Sequence, residues 1–166
     1  MRPIIIIAGP TASGKSALAM DLAGAFDGTV INADSMQVYR DLGILTARPG
    51  ADDEALVPHR LFGVMAAAER CSVGRWAALA NAEIAAAWRD GRLPMVTGGT
   101  GMYIKALRDG LAAVPEIPDA INAEVRALYA EIGGEAFQGE LARIDADAAR
   151  RLPAGDSQRL TRAMAV

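Results

Sequence analysis

The sequence predicts an α/β protein: a phosphate-loop type of parallel sheet flanked by helices, with a helical insertion beginning near residue 115. Three observations predict it. A β-branched run, Ile4-Ile5-Ile6-Ile7, leads straight into Gly9-Pro10-Thr11-Ala12-Ser13-Gly14-Lys15-Ser16, which fits G-x-x-x-x-G-K-[ST] at every fixed position. Strand and helix patterns alternate from there to about Arg108. After Gly110 the strand signals stop and only short helical patterns follow.

Ile4–Ile7 reads as a strand buried on both faces. Lys15–Phe26 reads as a helix with Leu18, Leu22 and Phe26 on its inward side. Strand, glycine loop and helix N-terminus make an anion site, because free backbone N–H groups converge there and the helix dipole favours negative charge. In such a site Lys15 reaches the terminal phosphates and the Ser16 hydroxyl binds Mg²⁺. Asp27-Gly28 turns the chain into a second strand, Thr29–Ala33, which completes a right-handed βαβ unit. Gln37 to Asp53 is polar and broken by Arg48-Pro49-Gly50, the pattern of a surface loop. Arg60–Val64 is a short third strand. Ser72 caps a helix running to Arg89, with Val73, Trp76, Ala80, Ile84 and Trp88 on its buried stripe. Leu93–Thr97 is the next strand, with Pro94 near its start. Gly98-Gly99-Thr100-Gly101 then turns into a helix from Met102 to Arg108. Residues 1–114 form the α/β core. The linker Val114-Pro115-Glu116-Ile117-Pro118 opens the part from 115 to 166, with helices over Asp119–Ile132, Gly134–Ile144, Asp145–Leu152 and from Asp156 onward.

Composition narrows the classes. The 166 residues hold one core domain with a small appendage, and 52% apolar with 22% charged residues excludes a disordered chain. A net charge of −3 argues against a dedicated nucleic-acid binder, while leaving room for a local basic patch. Arg150, Arg151, Arg159 and Arg162 are the one basic concentration, either a solvated helix surface or a contact to a phosphate backbone. The single cysteine, Cys71, excludes an internal disulfide framework and fits a reducing compartment. No apolar run approaches the ~20 residues of a membrane span, and no secretory signal is visible, so a cytoplasmic location is expected.

In a parallel sheet the strand C-termini share one edge, where ligands bind. The glycine loop, Asp34 and Gly98-Gly99-Thr100 each follow a strand and can converge there. Asp34 has three readings: a turn or capping aspartate, an acidic strand end serving Mg²⁺ through water, or a general base acting beside a bound phosphate. Thr100 either bonds a ligand or caps its helix. His59, the one histidine, has no metal-ligand spacing and reads as structural.

The residues also resemble a family. Gly9–Ser16, followed by Ile31-Asn32-Ala33-Asp34-Ser35-Met36-Gln37-Val38-Tyr39, closely resembles the tRNA dimethylallyltransferases, or tRNA isopentenyltransferases. The likeness continues through Thr46-Ala47-Arg48-Pro49, Pro58-His59-Arg60-Leu61, Gly98 to Leu107 and Asp156 to Ala163. It implies transfer of a dimethylallyl group from dimethylallyl diphosphate to the exocyclic N6 amine of the adenosine 3′ of the anticodon. It further implies that Gly9, Pro10, Thr11, Ala12, Ser13, Gly14, Lys15 and Ser16 hold the donor's diphosphate, with Mg²⁺ on Ser16 and Lys15 stabilising the departing charge. Asp34 would be the general base, and Ser35, Met36, Gln37 and Thr100 would position the nucleotide, extruded from the tRNA anticodon stem-loop at a cost of a few kcal/mol. Gln158, Arg159, Leu160, Thr161 and Arg162, with Arg126, would contact the tRNA. The family is longer than this sequence, so the resemblance implies an incomplete and inactive chain cut inside its last helix, from an enzyme that is a monomer at full length. Two alternatives remain beside it: a small-molecule kinase using ATP and Mg²⁺, and a non-catalytic nucleotide-binding switch.

Overall fold

The computed structural model describes residues 2–112 and 117–166. The chain divides into two compact units, Met1–Leu111 and Ala112–Val166. The boundary expected at Pro115 lies outside the described residues.

The first unit is built on a parallel four-stranded sheet in the order β1-β4-β2-β3, with β1 at Ile5–Ala8, β2 at Gly28–Asn32, β3 at His59–Arg60 and β4 at Leu93–Gly98. Its helices are α1 (Lys15–Ala25), α2 (Ala51–Leu56), α3 (Val73–Arg89) and α4 (Gly101–Asp109). Side chains alternate across the sheet, so the core has two halves. Val30 and Met95 join Ile7, Val57 and the Ala19 and Ala23 methyls of α1. Ile31 and Val96 face the other way and pack with Trp76, Ala80 and Ile84 of α3 and Tyr103 of α4. A parallel sheet needs such cover on both faces. Ser72 caps α3 as expected, its hydroxyl accepting from the Arg75 N–H at 3.1 Å.

Several expectations change. β1 is not buried throughout: it has a partner strand on one side only among the described residues, and Ile6 is 36% exposed. On α1, Leu18 and Phe26 point outward, and the buried positions are Ala19 and Ala23. The reason is the spacing of helix and sheet. A Cβ on Gly28 would come within 2.9 Å of both the Ala23 Cα and the Met95 methyl, so only small side chains fit beneath α1. The third strand covers His59–Arg60 rather than reaching Val64. The stretch expected as loop contains a 3₁₀ turn at Arg40–Leu42, the helix α2 and a parallel bridge between Tyr39 and Met65.

The second unit holds α5 (Asp119–Ile144), α6 (Ala146–Arg151) and α7 (Ser157–Ala165). Gly133, at φ 77°, interrupts α5 where the sequence divides it. The Asp145 and Asp156 carboxylates cap α6 and α7, accepting from the N–H groups of Ala148 and Arg159. Phe137, Leu141, Ala148, Ala149 and Leu160 form this unit's own core. No helix among the described residues is long and apolar enough to cross a membrane.

Candidate functional site

All four strands point the same way, and the register sets Ala8 beside Gly98 and Asn32 beside Thr97. Three chain segments therefore leave the sheet at one edge: the glycine loop after β1, Ala33–Gln37 after β2, and Gly99–Thr100 after β4.

In the loop, Ala12 and Gly14 take left-handed backbone conformations, with φ of 61° and 82°. They curl the chain into the start of α1, which no side chain caps. The amides of its first turn are thus left for an anion. Lys15 is half-buried and its ammonium folds back onto the Pro10 carbonyl, while Pro10, Thr11, Ala12, Ser13, Gly14 and Ser16 are exposed.

Asp34 sits on a tight turn. Its Oδ1 accepts from the Met36 N–H at 2.8 Å and the Gln37 N–H at 3.4 Å. Its Oδ2 has no hydrogen-bond partner among the described residues. The turn is held from below by Asn32, a residue the sequence reading passed over. Asn32 is fully buried; its Oδ1 accepts from the Asp34 N–H at 2.8 Å, and its amide donates to the Asp34 and Leu61 carbonyls. Its backbone oxygen accepts from the Trp76 indole at 2.9 Å. The available signal was an amide embedded in the apolar run Thr29-Val30-Ile31-Asn32-Ala33, since a buried amide must find partners.

Gly98 is a second residue whose role was invisible in sequence. A Cβ there would lie 2.2 Å from the Ala33 carbonyl carbon, so β4 can approach the Asp34 turn only as glycine. One residue on, a Cβ at Gly99 would be 3.4 Å from the Gly9 oxygen. Gly98-Gly99 thus links the Asp34 turn to the glycine loop. Thr100 precedes α4 without capping it; its Oγ1 instead accepts from the Ser35 N–H at 2.9 Å. Gln37 is likewise engaged, its amide donating to the Thr46 carbonyl at 2.8 Å, while Ser35 is half-buried and Met36 is 47% exposed.

Beside this edge Tyr103 stacks on Trp76, with ring centroids 4.3 Å apart, and donates to the Cys71 sulfur. Burial, and then that hydrogen bond, pushes the Tyr103 phenol well above its ordinary value. His59 bonds the Val57 carbonyl through Nδ1 at 2.9 Å.

Among the described residues no three His, Cys, Asp or Glu side chains come together as a metal cage. The Ser16 hydroxyl, exposed at the start of α1, is an oxygen of the kind Mg²⁺ takes when phosphate and water complete its shell.

In the helical unit Arg126, Gln158, Arg159 and Arg162 are exposed. Thr161 donates to the Ser157 carbonyl at 2.7 Å, and Arg159 lies 3.5 Å from Asp156. Leu160, expected among the tRNA contacts, is instead 0% exposed in the core of this unit, because α7 must bury its apolar stripe, so its side chain holds the helix and is not presented at the surface. Arg150 is paired with Asp147, and Arg151 bonds the Asp147 carbonyl, which partly neutralises the basic concentration.

The IPP transferase family model matches residues 37–166, and the isopentenyl transferase model matches residues 2–62. The tRNA dimethylallyltransferase of Rhodospirillum rubrum is 57% identical across 99% of this chain and 50% of its own length. That of Gluconobacter oxydans is 55% identical across 100% of this chain and 50% of its own. The chain spans about half the length of the curated relatives it matches. The full-length tRNA isopentenylpyrophosphate transferase of Bacillus halodurans has a similar structure, with a TM-score of 0.66 and 33% identity over 99% of this chain and 55% of that one. A eukaryotic dimethylallyltransferase acting on tRNA gives a TM-score of 0.80 at 27% identity, over 98% of this chain and 40% of its own.

Proposed function

The chain belongs to the IPP transferase family, and from that premise we propose that it carries the donor-binding and proton-accepting part of a tRNA dimethylallyltransferase. The reaction joins the dimethylallyl group of dimethylallyl diphosphate to the N6 amine of the adenosine 3′ of the anticodon and releases diphosphate. The observation that carries this reading is the Asp34 carboxylate: one oxygen is fixed by two backbone N–H groups and the other is left without a partner, beside a phosphate loop.

The roles follow from placement. The diphosphate sits on the amides of the loop from Gly9 to Ser16, with the Lys15 ammonium turned from Pro10 onto its oxygens. Ser16 would hold Mg²⁺, which when bound offsets charge on the leaving diphosphate. As the adenine N6 lone pair forms the new N–C bond, the allylic C–O bond breaks and its electron pair leaves on the diphosphate. The N6 proton passes to the Asp34 Oδ2. Lys15 and the loop amides meet the charge that develops on the leaving oxygen. Thr100 acts by pinning Ser35, and thereby Asp34, rather than by moving a proton itself. Arg126, Gln158, Arg159, Thr161 and Arg162 are assigned to the RNA, with the second unit as the start of a tRNA-contacting insertion. A cytoplasmic protein that meets its tRNA there fits this activity.

Calorimetric titration of the chain with dimethylallyl diphosphate, with and without Mg²⁺ and with inorganic diphosphate as competitor, tests the reading. Mg²⁺-dependent binding that diphosphate displaces is expected. Tight binding of ATP with no response to the prenyl donor would replace the reading with that of a small-molecule kinase.

A further inference from the structure

β4 ends in Thr97-Gly98 and Gly99 follows it, without a carboxylate. Enzymes with this loop commonly pair its hydroxyl with an acidic strand end to hold Mg²⁺. What β4 offers in that place is the hydroxyl of Thr97. Thr97 is 7% exposed, and its Oγ1 makes no hydrogen bond among the described residues. Every fully buried side-chain nitrogen or oxygen there has a partner, so the Thr97 oxygen keeps a face open to water. A hydroxyl is costly in a strand core unless something bonds it.

Its position says what that partner is. Thr97 shares a sheet face with Met95, two residues back, and Met95 packs against α1. The Cβ position of Gly28 meets the Ala23 Cα as well as the Met95 methyl, and Gly28 pairs with Leu93, four residues before Thr97. Four residues along the strand is about 13 Å, and α1 runs back over the strands at about 1.5 Å per residue. Thr97 therefore lies roughly eight to nine residues back along α1 from Ala23, at the level of the helix start where Ser16 stands. On the same row stands Asn32, whose side chain is fully used by Asp34 and Leu61, leaving Thr97 as the free polar group of the floor.

We propose that the Thr97 hydroxyl is a positioning group of the phosphate site, hydrogen-bonded to the water shell of the Mg²⁺ ion held at Ser16. The proposal rests on the donor-binding reading above and adds a residue to it. Calorimetry of the chain with inorganic diphosphate, at several Mg²⁺ concentrations and without the metal, is the test. Thr97→Val keeps the shape and removes the hydroxyl; it should weaken Mg²⁺-dependent diphosphate binding about fivefold to tenfold and leave metal-free binding and thermal midpoint as they were. Thr97→Ser should restore the wild-type Mg²⁺ dependence. An unchanged Mg²⁺ dependence in Thr97→Val overturns the proposal alone, and so does an equal loss with and without the metal, which would mark a packing role. A wild-type chain that binds no diphosphate overturns this proposal together with the reading beneath it.

Discussion

The Thr100 hydroxyl accepts a hydrogen bond from the Ser35 N–H at 2.9 Å, joining the loop after β4 to the turn after β2. These segments are 65 residues apart in sequence, and the bond fixes the residue next to Asp34. Thr100→Val should therefore expose one amide in particular. Hydrogen exchange at Ser35 should speed up severalfold, with a stability loss of about 1 kcal/mol, typical of one lost hydrogen bond. Unchanged Ser35 protection, with faster exchange at the start of α4 instead, would return Thr100 to a simple helix cap.

Asp34→Asn keeps an acceptor for the Met36 N–H but loses the carboxylate proposed as the proton acceptor. Donor affinity should stay close to wild type. In a full-length relative with the same Asp-Ser-Met-Gln block, turnover should fall by about 10²–10⁴, the usual contribution of a general base. Loss of donor binding in the mutant would assign Asp34 to the metal instead.

Lys15→Met should leave folding nearly untouched, because the ammonium's one bond is to the local Pro10 carbonyl. Diphosphate affinity should drop about 10- to 100-fold, matching the 1.5–3 kcal/mol typical of hydrogen bonds to a charged group. Paired titration and thermal melts check both halves of this statement; a large fall in the melting midpoint contradicts it.

Gly98→Ala and Gly99→Ala form a contrast. A methyl at 98 would meet the Ala33 backbone at 2.2 Å, so β4 or the Asp34 turn must move, with a cost of about 1–3 kcal/mol or more. A methyl at 99 meets the Gly9 oxygen at an ordinary 3.4 Å and should be tolerated. Urea unfolding of the two variants decides, and equal stabilities would contradict the close approach.

Tyr103 predicts an alkaline limb. Its folded phenol titrates above the ordinary value near 10. The unfolded chain therefore releases this proton first as pH rises. Tyr103's contribution is fully present below pH 10 and is lost as pH climbs toward the raised folded value. Tyr103→Phe should flatten the stability curve above pH 10, followed through the fluorescence of Trp76 stacked on it. An identical alkaline slope in the variant rules this phenol out as the source.

What the sequence made legible was short-range. The glycine loop, the Ser72 and Asp156 caps, the break at Gly133 and most element boundaries depend on neighbours within a few positions. The misreadings depend on distance in space. Large apolar residues marked the wrong side of α1, because the gap under it admits only Ala19 and Ala23. Leu160 sat inside a block resembling an RNA contact, yet helix packing draws it inward. Asn32 and Gly98 support the site through partners 29 and 65 positions away, Leu61 and Ala33, and no local pattern reports that. The bridge from Tyr39 to Met65 left no periodic trace for the same reason.

The narrow seat of α1 over Gly28 reaches further than packing. The helix begins where the glycine loop ends, so a residue bulkier than alanine at 19 or 23 would lift it and drag Lys15 and Ser16 along. The seat of the glycine loop and the interior volume beneath α1 are thus mechanically linked. A lone methylene added at Ala23, far from any ligand, would act as a remote dial on the depth of the cradle, whereas Leu18 and Phe26 on the outer side can change size without turning it.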